Sequence, residues 1–470
     1  MPVAAQVIRH AAVRPGRIAV SGPHGEITYG DLARRARETA TALRANRLTD
    51  RPGGVGPWVV GICLADPVEQ LIAVLAADLA GAVPLLYEPA LRDGVPANLR
   101  VETLPSGSQA GSEAGVEAGS EAGVEAGVGD APPFAAAPGD LAWACFSSGS
   151  TGRPRAVVRT RASWTGSFEP LNAITGIGAD DTVLVPGPLV SSLYGFAAVH
   201  ALAAGATVLA PGRWAPGPLP ELLRRATAAH LVPHLLPELL DALPDGGPLR
   251  VAVVGGAALP AGVRERAEGA GVRVVAYYGA TELSFVAVDA DGGGLRPFPE
   301  VEIEVRPPRG EVWARSPWLA EGYLDGVAGP LKAEDKWMSV GDLAHPYPPG
   351  EPLRLRGRGD GAIQTGGATV VPEDVEAVLR RAVGVGDVVV AGSPHPGLGA
   401  VVTAVVETGD GPLPSRAALE RVARGGLAAA QRPRLWYAVA ALPRTPTGKP
   451  ARAELAARLA AGDPELRRLP

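Results

Sequence analysis

Residues 146–160 read FSSGSTGRPRAVVRT. Up to Arg155 the stretch has no apolar stripe, and its small polar side chains leave the backbone uncovered. The residues before it, DLAWACF, alternate in polarity and are β-prone, so the segment leaves the end of a strand. Gly149 and Gly152 permit close backbone approach. Successive N–H groups in such a turn form an anion-binding concavity. The hydroxyls of Ser147, Ser148, Ser150 and Thr151 add donors, and Arg155 adds a charged planar fork. The spacing differs from the GxxxxGK[ST] phosphate loop. Taken alone, these residues fit either a plain surface loop or a cradle for phosphate.

The rest of the chain narrows the choice. It has 470 residues, enough for more than one domain and a sizeable core. Its 46% hydrophobic and 20% charged content is that of a globular protein. A net charge of -5 gives no electrostatic reason to bind nucleic acid. Cys63 and Cys145 both sit in apolar runs and read as small buried hydrophobes, without CxxC metal spacing or a disulfide framework. No apolar run is long enough to span a bilayer, and the first residues lack a signal-peptide core. A cytoplasmic protein is expected. The basic residues number 44, of which only Lys332, Lys336 and Lys449 are lysine. In a chain that writes positive charge as arginine, each lysine stands out.

Strand-like and helix-like runs alternate. An apolar run at 58–64, a helical spacing over 67–80 closed by Gly81, and a second run at 82–87 form one unit. The pattern returns over 182–210 and over 249–279, which predicts a parallel sheet covered on both faces. Residues 106–130 are a short Gly, Ser, Glu, Ala and Val repeat without a face to bury, and read as a low-complexity insertion. Beyond residue 357 the strands and helices mix in a compact α+β unit. The expected fold class is therefore α/β: a large N-terminal domain of layered sheets flanked by helices over 1–357, a hinge at 358–360, and a small mobile α+β lid over 361–470.

Further motifs follow the opening stretch in order: YYGATE at 277–282, VGDL at 340–343, RGRGDGAIQTGGATVVPEDVE at 356–376 and LPRTPTGKPAR at 442–452. With ITYGDLARRARETATAL at 27–43, they resemble the adenylate-forming family of acyl-CoA synthetases, adenylation domains and luciferases. The resemblance covers nearly the whole chain except the insertion. It implies ATP-dependent activation of a carboxylic acid as acyl-adenylate with release of pyrophosphate. Transfer to coenzyme A would follow. Alternative acceptors are the phosphopantetheine of a separate carrier protein, or an amine. A degenerate nucleotide- or acyl-binding protein is the non-enzyme alternative.

By that resemblance, Ser147, Ser148, Gly149, Ser150, Thr151, Gly152 and Arg155 hold the outer phosphates. Arg155 stands where the family often has lysine. Thr281 touches the α-phosphate and Glu282 holds Mg²⁺. Tyr278 and Gly279 lie by the adenine, with Gly256 and Ala257 on its other side. Asp342 accepts from the ribose hydroxyls, and Arg358 also reaches the nucleotide. Lys449 is the catalytic lysine of adenylation. Asp360 matches the hinge, and Gly366 and Gly367 belong to a hairpin facing the site in the thiol step. Gln364 occupies a position often held by lysine. Ser191, Ser192, Tyr194, Phe196 and Leu283 are candidates for the acyl pocket. That region offers no carboxylate for an α-ammonium, which argues against a free amino acid and toward a fatty or aromatic acid. His234 reads as packing, and Glu376 as a helix-face carboxylate.

Overall fold

A computed structural model describes residues 3–49, 57–104, 135–147, 155–259, 262–324, 326, 329–358, 363–365, 368–382, 384–396, 398–409, 414–445 and 448–469. The insertion at 106–130, the centre of the opening loop (148–154) and the hinge aspartate Asp360 lie outside these residues, as do Gly366 and Gly367.

The expected strand–helix units are present. Asp66 caps the helix Pro67–Ala80 by accepting from the Val68 N–H, and Gly81, with φ of 77°, ends it in the left-handed region that glycine tolerates. That helix links Val59–Ile62 to Val83–Leu86, two strands paired in parallel. In the largest sheet, strands Val251–Gly255 and Arg273–Ala280 are parallel neighbours joined through the helix Val263–Gly269.

Among the described residues the strands form four sheets. Two of them have parallel centres; one carries antiparallel strands at both edges and the other at one edge, where the sequence pattern predicts parallel strands alone. The reason is local. Strand Arg273–Ala280 returns at once as Ser284–Asp289, and a turn that short can join only antiparallel neighbours. The same holds for Leu141–Ser147 and Arg155–Thr160.

Both faces of the largest sheet are covered. Val251 and Val253 enter one core, while Ala252 and Val254 enter another beside Leu219, Leu236 and Leu239. This is the period-2 alternation of a strand buried on both sides. The first core also takes Trp143 and Cys145 from the second sheet, so the two sheets share one interior. The last sheet builds a separate core from Val375, Leu379, Val388, Val402, Leu419 and Trp436. Glu376 is buried there, accepting from the Val390 N–H and pairing with Arg452; it braces this unit and has no place in the large cavity.

Candidate active site

A cavity of about 420 Å³ opens where the two large sheets meet. Ser147, Gly256, Gly279, Thr281, Glu282 and Lys449 line it, though they come from four separate stretches of chain. Each is set in place by local structure.

Ser147 and Arg155 are cross-strand partners at the mouth of the opening loop. The antiparallel pair brings both ends of that loop together before its tip begins. The Arg155 guanidinium lies 5.9 Å from the centre of the Tyr323 ring. Tyr323 in turn donates to Glu282 Oε1 at 3.0 Å. Burial and the neighbouring Glu282 charge raise the Tyr323 phenol, so it stays protonated and remains a donor.

Thr281 and Glu282 sit in the turn between strands Arg273–Ala280 and Ser284–Asp289. The turn closes so tightly that a Cβ on Gly279 would fall 2.1 Å from the Ser284 carbonyl oxygen. Ser284 itself takes φ of 62°. Thr281 shares a hydrogen bond of 2.9 Å with Ser192, the first residue of the helix Ser192–Ala204. Glu282 is only 4% exposed.

One residue before Gly279, Tyr278 donates to Asp342 Oδ2 at 2.8 Å. Asp342 opens a strand whose cross-strand partner is Arg358; the Arg358 side chain lies outside the described residues. Gly256 adopts φ of 92° and lines the cavity, while Ala257 beside it is exposed.

Lys449 arrives from the small C-terminal unit. Its turn is held by the Lys449 N–H on Thr445 Oγ1 (3.2 Å) and the Gly448 N–H on the Thr445 carbonyl (2.7 Å). A Cβ on Gly256 would lie 3.6 Å from Lys449 Nζ, so the ammonium stands directly over that glycine. A Cβ on Gly448 would come within 2.0 Å of the His234 ring. His234 thus borders the lysine turn and is not among the cavity residues.

Of the acyl-pocket candidates, Ser191, Ser192 and Phe196 line the cavity. Tyr194 and Leu283 do not: both are buried in the core, and Tyr194 packs where a side chain on Gly187 would otherwise stand. The helix turns Phe196 inward and leaves Tyr194, two residues earlier, on another face. The aromatic wall is completed by Trp164, Tyr277 and Phe285. Phe196 meets Trp164 at 5.3 Å and Phe285 at 5.2 Å, both edge to face.

Sequence reasoning did not single out Trp164, Tyr323 or Arg159 as site residues. Arg159 had a legible signal. It is a charge inside the apolar strand AVVRT, two positions from Val157 and therefore on the same face. Cys145, read as a buried hydrophobe, is buried and also lines the cavity; burial pushes its thiol up to about 12.

The chain matches two family models, AMP-binding enzyme over residues 95–324 and AMP-binding enzyme C-terminal domain over residues 374–449. It belongs to the AMP-binding enzyme family and is an adenylate-forming ligase. Among its relatives is an uncharacterized acyl–CoA ligase, YhfT, of Bacillus subtilis. The two are 29% identical over 479 residues, spanning 95% of this chain and 96% of that one. The fold matches o-succinylbenzoate CoA synthetase from Bacillus subtilis, solved with its acyl-adenylate intermediate. The TM-score is 0.79 at 21% identity, over 97% of this chain and 98% of that one. It also matches the amide bond synthetase McbA from Marinactinospora thermotolerans. There the TM-score is 0.76 at 24% identity, over 97% and 100% of the two chains.

Among the described residues, no helix is long and apolar enough to cross a membrane.

Proposed function

We propose that this chain activates a compact carboxylic acid with ATP, releasing pyrophosphate, and passes the acyl group from the adenylate to coenzyme A. The observation that carries the reading is the meeting of Thr281, Glu282 and Lys449 at one cavity with an aromatic inner wall.

The first half-reaction brings a carboxylate against the α-phosphate, negative charge on negative charge. What it needs is cations and donors placed where charge develops. Lys449 supplies a compact ammonium on a flexible stem that reaches the reacting oxygens. Thr281, oriented by Ser192, offers a hydroxyl to the α-phosphate. Ser147 and Arg155 serve the outer phosphates from the loop mouth. Asp342, held by the Tyr278 hydroxyl, accepts from the ribose.

Glu282 would hold Mg²⁺, which supplies neutralisation of the phosphate oxygens. The residues fit that ion. Among the described residues no cluster of three or more potential ligands exists, and a lone oriented carboxylate completed by phosphate oxygens and water is an ordinary magnesium site. Tyr323 fixes one oxygen of Glu282, so the carboxylate is already oriented.

The cavity is at the small end of ligand pockets, which favours an aryl or short acyl group over a long chain. The carboxylates among its lining residues are Glu88 and Glu282. With Glu282 assigned to the metal, an α-ammonium at the inner wall would lack a partner. We assign the joint between the two units to residues 358–360. Turning there would remove Lys449 and admit the thiol after adenylation.

Mass spectrometry of one reaction tests the reading. It contains protein, ATP, Mg²⁺ and a pool of acids, with coenzyme A present or omitted. AMP together with a new acyl-CoA is the expected result. AMP or adenylate formed without regard to coenzyme A would assign the acceptor role to a carrier protein or an amine. No AMP from any acid, together with no nucleotide binding, would refute the reading.

A further inference from the structure

Arg159 lies on the strand Arg155–Thr160 and lines the same cavity, yet it is only 2% exposed. Its Nη1 donates to the Trp318 carbonyl at 2.5 Å. Its Nη2 is buried and has no hydrogen-bond partner among the described residues. Among the described residues no carboxylate forms an ion pair with it. Trp164, another lining residue, likewise keeps a buried indole N–H without an acceptor among the described residues. Burial pulls the guanidinium down to about 10, countered by the nearby Cys145 and Glu282, so the group is still charged at neutral pH.

A buried cation with an open donor is costly unless something pairs with it. The outer phosphates of ATP are badly placed to do so. Arg155 marks the phosphate end of the strand. Arg159 is four residues further along the same face, about 13 Å away at the usual rise of a strand. It shares the cavity lining with the aromatic residues Trp164, Phe196 and Phe285, and its cross-strand partner Trp143 stacks on Trp164 at 4.4 Å.

We propose that Arg159 binds a second carboxylate at the far end of the acid, so that the substrate is a dicarboxylic acid activated at one end only. This rests on the adenylate-forming reading above. The fork of Arg159 suits a planar carboxylate, and Trp164, stacked on the cross-strand partner of Arg159, is a neutral donor lining the same cavity. The aromatic side chains between the two ends pack the connecting carbons. A monocarboxylic acid of the same skeleton would leave the guanidinium buried and unpaired, and is rejected for that reason.

The test compares diacids with monoacids of matched skeleton: succinate through suberate and the phthalate isomers, against the corresponding fatty acids and methylbenzoates. Wild-type protein, Arg159→Leu and Arg159→Lys are assayed for pyrophosphate release, and their melting temperatures are measured with and without each acid. In wild type, at least one diacid is expected to exceed its monoacid partner in kcat/KM on the order of 10²-fold. That diacid should raise the melting temperature of wild type and not of Arg159→Leu. The Leu variant should reverse the preference, and Lys should restore part of it. A merely structural arginine would lower the melting temperature when replaced and leave the diacid-to-monoacid ratio alone. That result, or activation of monoacids in preference to diacids by wild type, overturns the proposal while leaving the ligase intact. Failure of every acid to release pyrophosphate, with no acid changing the melting temperature, overturns both readings.

Discussion

Replacing Gly279 with alanine probes the turn that carries Thr281 and Glu282. The new Cβ would lie 2.1 Å from the Ser284 carbonyl oxygen, a backbone atom that no rotamer change can move. Ordinary contact requires about 3.5 Å, so the hairpin must open by more than ~1 Å. Overpacking of this kind costs about 1–3 kcal/mol of stability, which a two-domain chain of this size survives. The catalytic consequence is larger. Thr281 is two residues away and Glu282 three, and a misplacement of about 1 Å at reacting groups costs on the order of 10²-fold in rate. ATP–pyrophosphate exchange should therefore fall about 10²-fold, while circular dichroism and melting report a folded protein. Gly425→Ala is the control. It lies in the helix Arg416–Gly426, and a Cβ there meets nothing within 4 Å, so activity should hold and stability should rise slightly. Exchange within about threefold of wild type in a folded Gly279→Ala protein would show that the tight turn does not position the reacting groups, against the geometric argument.

Three further outcomes are expected. Lys449→Ala should lower adenylate formation about 10²–10³-fold while nucleotide binding, followed by equilibrium titration, persists; equal exchange rates would remove Lys449 from the first half-reaction. Asp342→Ala strips the acceptor from Tyr278 and from the ribose, and should raise KM for ATP roughly tenfold or more with a smaller effect on kcat; an unchanged KM would place the ribose elsewhere. His200 and His230 lie 6.0 Å apart in the interior, and burial pulls them down to about 4 and about 3. Below the ordinary histidine value, about 6.5, the unfolded chain binds protons that the folded one refuses. Stability is thus whole above that pH and declines as pH falls toward the folded values. Urea midpoints measured across this window should fall with acid, and His230→Phe should flatten the decline; parallel curves for the two proteins would contradict the assignment.

Much of this site is legible without coordinates because its motifs are local. A strand that stops in FSSGSTG, a hairpin spelled YYGATE and a lysine inside TPTGKP each prescribe their own backbone from glycine placement and alternation. The helix Pro67–Ala80 matches its expected limits at both ends, since its aspartate cap and left-handed glycine are encoded within one turn of the chain.

What periodicity does not carry is which way a side chain faces once two sheets pack. Tyr194 and Phe196 look equivalent in the sequence, yet the helix turns only Phe196 into the cavity. Cys145 reads as plain core and sits at the cavity wall. Arg159 falls inside the stretch that decides the fold and is passed over there: the charge in an apolar strand is visible in the sequence, but what it faces is set by packing. From its sequence alone, the chain declares its family, its layered α/β plan and the residues proposed to meet the nucleotide, all of which depend on neighbours a few positions apart. The tertiary structure decides what shares the cavity with those residues: an aromatic wall and a buried guanidinium without an ion-pair partner among the described residues, gathered from strands and helices distant in the chain. Pairing and burial are relations between such segments, and only packing brings them into contact.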